Sequence, residues 1–82
     1  VDTTILDSGN IIVSWMDTVG EAKIMLSRYD INGELLSTTE VAGSSPSRRS
    51  GFPIIEAVGN SVYVTWTDID ATPQVKVARI DY

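Results

Sequence analysis

Ser61-Val62-Tyr63-Val64-Thr65-Trp66-Thr67-Asp68 has the two-residue period of a strand. Val62, Val64 and Trp66 fall on one side of an extended chain and Tyr63, Thr65 and Thr67 on the other. Val13-Ser14-Trp15-Met16-Asp17 restates Val64-Thr65-Trp66-Thr67-Asp68 at an offset of 51 residues, and the same offset sets Arg28-Tyr29-Asp30 on Arg79-Ile80-Asp81. With small shifts, Gly9-Asn10 falls on Gly59-Asn60 and Ile5-Leu6 is matched with Ile54-Ile55. Two Trp-x-Asp triplets, two Gly-Asn turns and two Arg-x-Asp ends in one order are explained better by an internal repeat than by chance.

Outward from these anchors the remaining strands follow. Residues 74–80 alternate like 61–67, and the turn formers between them close a hairpin. Residues 10–16 and 22–30 make the equivalent pair in the first unit. Asn32-Gly33 then marks a tight turn into a strand over 34–42. Residues 3–6 and 52–57 supply the first strand of each unit. Residues 43–51, dense in Gly, Ser and Pro, read as a long connecting loop. No window carries a 3.6-residue apolar stripe, so essentially no helix is expected.

The expected fold is therefore all-β, built of antiparallel four-stranded meanders and amounting to about two blades of a β-propeller. Blade one covers about 1–43, a linker 43–51, and an incomplete blade two 52–82. Four-stranded meanders repeating every ~40–50 residues are the sequence signature of propeller blades. In the strand over 22–30, Ile24 and Leu26 point one way while Met25 and Tyr29 point the other, as in a blade packed between two neighbours. A small seven-stranded β-sandwich is the alternative, but it has no need for its second half to restate its first. The chain opens at Val1 without a basic-then-apolar leader, which fits a mature or excised piece. Unpaired apolar faces imply self-association or burial against other blades of a parent chain.

Composition excludes whole classes of chemistry. Six basic residues against eleven acidic give a net charge of −5, and only Arg48 and Arg49 are adjacent cations, so nucleic acid is not an expected partner. No apolar run is long enough to span a bilayer, and no membrane partner is expected. With neither Cys nor His, the chain has no thiol nucleophile, no imidazole base and no usual zinc site. No cofactor or metal is expected; Asp17, Asp68 and Asp70 are acidic, but no Asp-x-Asp-x-Asp-Gly calcium loop occurs.

From Ser50-Gly51-Phe52-Pro53 through Val58-Gly59-Asn60-Ser61 to Val75-Lys76-Val77-Ala78-Arg79, the sequence resembles the last blades of bacterial sialidase-like (BNR-repeat) six-bladed propellers. The resemblance implies a secreted protein, extracellular or periplasmic, that binds carbohydrate. The family's Ser-x-Asp-x-Gly-x-Thr-Trp box is absent from both units, and Gly51 stands where its Arg-Ile-Pro motif has the catalytic Arg. No catalytic residue is therefore expected in this chain. The expected function is a non-catalytic glycan- or protein-binding segment. The alternative is part of an exo-sialidase-like glycoside hydrolase whose active site other blades complete, so enzymatic activity of the parent stays open.

Candidate ligand-binding residues are Arg48, Arg49, Asp17 and Asp68. In a propeller, the linker and the loops after Asp17 and Asp68 emerge on one face, together with Glu21 and Asp70. A guanidinium pair there suits a sugar carboxylate, which makes an acidic glycan the expected partner. Asp17 and Asp68 are equally suited to capping their turns. Trp15 and Trp66 are expected to pack in the core rather than to stack on sugar. Arg28 and Arg79, each two residues before an Asp, are expected to form structural ion pairs.

Overall fold

The computed structural model describes residues 1–17, 23–43, 53–68 and 74–82. Seven strands occur in order: β1 Asp2–Ile5, β2 Ile11–Asp17, β3 Lys23–Tyr29, β4 Leu35–Gly43, β5 Ile54–Val58, β6 Ser61–Asp68 and β7 Gln74–Asp81. Among the described residues there is no helix. The first four strands form one antiparallel sheet in the order β1-β2-β3-β4, and the last three a second in the order β5-β6-β7. The all-β fold of four-stranded and three-stranded antiparallel meanders is therefore as the repeat implied. Strand ends lie within two residues of those read from the sequence, apart from Ala22 and Phe52, which fall outside the described residues.

Register shows which positions correspond. Val13 lies opposite Ser27 and Val64 opposite Ala78, while Trp15 lies opposite Met25 and Trp66 opposite Lys76. The offset of 51 thus holds across both hairpins. The first strands correspond differently from the sequence match. Ile5 lies opposite Ile11, and Ala57 lies opposite Val62, which is Ile11's counterpart. Ile5 therefore corresponds to Ala57, and not to Ile54. Turn length is the reason: Val58 and Ser61 are joined across Gly59-Asn60 alone, whereas residues 6–10 connect β1 to β2. Gly59 holds a φ of 63°, at a hairpin position where a side chain would be strained. Gly33 in the Asn-Gly turn does the same with a φ of 85°.

The two sheets stack face to face. On the inner side of the first, Leu6, Ile12, Ile24 and Leu26 are buried, and they join Ile55, Val62, Val64 and Trp66 of the second in one core. Val41, the extra residue at the β-bulge between β3 and β4, packs against that core. Strands β1 and β5 lie side by side at the inner edge of the stack, where side chains stand in for a missing neighbour strand. Ile55 N–H donates to Asp2 Oδ2 at 2.8 Å, and Ala57 N–H donates to Thr4 Oγ1 at 3.2 Å. Because Asp2 meets residue 55 and Thr4 meets residue 57, equivalent strands of the two sheets run in the same direction. Ser14 Oγ, fully buried, donates across the stack to Pro53 O at 3.4 Å.

Candidate functional site

Asp17 ends β2 opposite Lys23, and Asp68 ends β6 opposite Gln74. Since equivalent strands run in parallel, both residues lie at one end of the stack. Gly43 faces Lys23 across β3 and β4, so the linker also leaves the first sheet at this end. Pro53, buried at the start of β5, returns the chain there. The ends of β2, β4 and β6 and the starts of β3, β5 and β7 thus lie at one end of the stack, with Asp17 and Asp68 among them. Lys23 Nζ sits 3.9 Å from Glu40 Oε1 beside them, in a half-exposed pair. Arg48, Arg49, Glu21 and Asp70 lie outside the described residues. Among the described residues no three acidic side chains gather to hold a metal ion.

The opposite end of the stack carries most of the turn chemistry. Asp30 Oδ1 accepts from the N–H groups of Asn32 and Glu34, both at 2.9 Å, and so braces the Asn-Gly turn. Asp30 was expected to pair with Arg28; instead the Arg28 guanidinium lies over the Tyr82 ring, 5.5 Å from its centroid. That contact joins β3 of the first sheet to the residue after β7 of the second. Burial pushes the Tyr82 phenol above its ordinary range, and Arg28 and Thr39 partly oppose the rise. Arg79 does pair as expected, with Nε 2.8 Å from Asp81 Oδ1. Asp81 also accepts from Ser61 Oγ, and the hydrogen bonds from Ser61 and then Arg79 hold its carboxyl below the usual range.

Asn60 ties this end together. Its side-chain oxygen accepts from Ser8 N–H, its carbonyl from Tyr82 N–H, and the carbonyl of neighbouring Gly59 from Asp7 N–H. Trp66 packs in the core as expected, buried between the sheets, but Trp15 does not: it is half-buried on the outer side of the first sheet, which the second sheet does not cover, and donates from Nε1 to Ser27 Oγ at 2.9 Å. Asp2, Thr4 and Tyr82, which join the two sheets, were not singled out from the sequence. Only the corrected register of the first strands would have placed Asp2 and Thr4 against the open edge of β5. No family model, curated protein or solved structure matches the chain.

Proposed function

We propose that this chain is a two-blade segment of a sialidase-like β-propeller that binds an acidic glycan without catalysing a reaction itself. One observation supports the blade reading above the others. By register, the inner side of the second sheet corresponds to the outer side of the first, because Val64 and Trp66 match Val13 and Trp15. The same correspondence relates the inner side of the first sheet to the outer side of the second. Front therefore packs on back, which is how successive blades stack, and the arrangement can be continued in both directions. A closed sandwich would carry polar outer faces, whereas Ile54, Val58, Val75 and Val77 are exposed on the outer side of the second sheet.

The glycan reading rests on the rim. Arg48 and Arg49 are the only adjacent cations in a chain of net charge −5, and the linker that carries them leaves and re-enters at the end bordered by Asp17 and Asp68. Two guanidinium groups can hold both oxygens of a sugar carboxylate. Titration with acidic and neutral glycans tests it. Acidic ligands should bind the unmutated chain and weaken by about tenfold or more in Arg48→Ala and Arg49→Ala, since a charged hydrogen bond contributes ~1.5–3 kcal/mol. Equal binding by both variants would reduce the linker to a connector.

A further inference from the structure

At three apolar positions the outer side of the second sheet repeats a surface that is buried in the first. Leu6, Ile24 and Leu26 are all but inaccessible between the sheets. Their counterparts by register are Val58, Val75 and Val77, which are 64%, 76% and 62% exposed. Each of these three positions has kept an apolar residue, although a solvated strand face would carry polar ones. A surface that repeats a buried one suits the same kind of occupant.

The occupant is defined by what covers the first copy of that surface. Leu6, Ile24 and Leu26 are covered by the second sheet through Ala57, Val62, Val64 and Trp66. Within this chain the same face occurs once more, on the outer side of the first sheet, as Ile5, Ile11, Val13 and Trp15. Ile5 is itself 64% exposed there. We infer that the outer side of the second sheet docks the outer side of the first sheet of a second copy, head to tail, and this rests on the stacked-blade reading above.

The edge chemistry continues as well. Within the chain Thr4 Oγ1 accepts from Ala57 N–H across the inner edge. Glu56 occupies Thr4's place in the second sheet, and Ile5 occupies Ala57's place in the first. The Glu56 carboxylate is thus placed to accept from Ile5 N–H of the second copy. A heterologous contact of this kind joins unlike faces, so association closes only as a ring and otherwise runs on.

Sedimentation of the 82-residue chain, a monomer of 8.9 kDa, tests this with Val77→Glu and Ile5→Glu. Both residues are exposed in a single copy, so neither charge is forced into a core; Val75→Glu serves as a second block of the same face. The unmutated chain should associate with rising concentration, and each variant alone should sediment as a monomer. An equal mixture of Val77→Glu with Ile5→Glu should form a species of two copies and stop there, because each contributes one intact face. A dispersed monomer for the unmutated chain, or dimers of Ile5→Glu alone, would overturn the head-to-tail docking. Hydrogen exchange at Ile55 and Ala57 separates the two failures: protection of these amides in a monomer leaves the stacked sheets standing and removes only the docking.

Discussion

Trp15 and Trp66 occupy the same position in two successive sheets, yet among the described residues only Trp15 finds a hydrogen-bond partner. Its indole N–H donates to Ser27, whereas the counterpart of Ser27 is Ala78 and the buried Trp66 Nε1 has no acceptor. An unmet buried donor is costly, so the second sheet has left stability unused.

Ala78→Ser should therefore stabilise the fold by about 1 kcal/mol, the usual net gain of one hydrogen bond. Ser27→Ala should lower stability by a similar amount by orphaning the Trp15 indole. Urea midpoints of the two variants check the pair. A destabilised Ala78→Ser would mean that the Trp66 indole is differently placed.

Asp2 joins the sheets without a strand ladder. It takes Ile55 N–H on one oxygen and Thr3 N–H on the other. Removing the carboxylate in Asp2→Ala leaves Ile55 N–H at the edge of β5 without its acceptor, which should cost about 1–3 kcal/mol. Hydrogen exchange reads the effect locally: Ile55 should lose protection while Val62 and Val64, in the middle of the second sheet, keep theirs.

Tyr82 adds an alkaline limit. Burial holds its phenol above the ordinary value, so the folded state favours the neutral form. The associated stability is complete below the unfolded value of about 10 and is lost as pH rises through the higher folded one. Tyr82→Phe keeps a ring beneath Arg28 and removes the titration. Its stability should match that of the unmutated chain near neutral pH and exceed it above pH ~10 in urea titrations; parallel curves would place the alkaline loss elsewhere.

Much of the architecture was legible because hairpins are local. Alternation from Val62 to Trp66, the Asn32-Gly33 turn and the 51-residue repeat point to the neighbours in all five strand pairings, each within a short stretch of chain. The first strands were harder, since ungapped comparison cannot see that one turn spans residues 6–10 and the other only Gly59-Asn60. That shift matched Ile5 with Ile54 and concealed Asp2 and Thr4, whose partners lie 53 residues away. Arg28 misled for another reason: its nearest sequence neighbour of opposite charge, Asp30, was already engaged by the turn, and the ring it meets comes from the far end of the chain.

Leu26 and Val77 give the clearest test of front-to-back stacking, because they hold one position in two sheets and differ only in what lies over them. Leu26 is fully buried against the second sheet, and Leu26→Ala should cost about 2–5 kcal/mol through lost contact and the cavity left behind. Val77 is 62% exposed, and in a single copy Val77→Ala should stay within ~0.5 kcal/mol. At concentrations where copies dock, Val77 acquires the surroundings of Leu26, and its truncation should become costly there alone. Denaturation of both variants at low and high protein concentration checks this. A Val77→Ala cost that is large when dilute, or that does not grow with concentration, would show that the two faces are not equivalent surfaces.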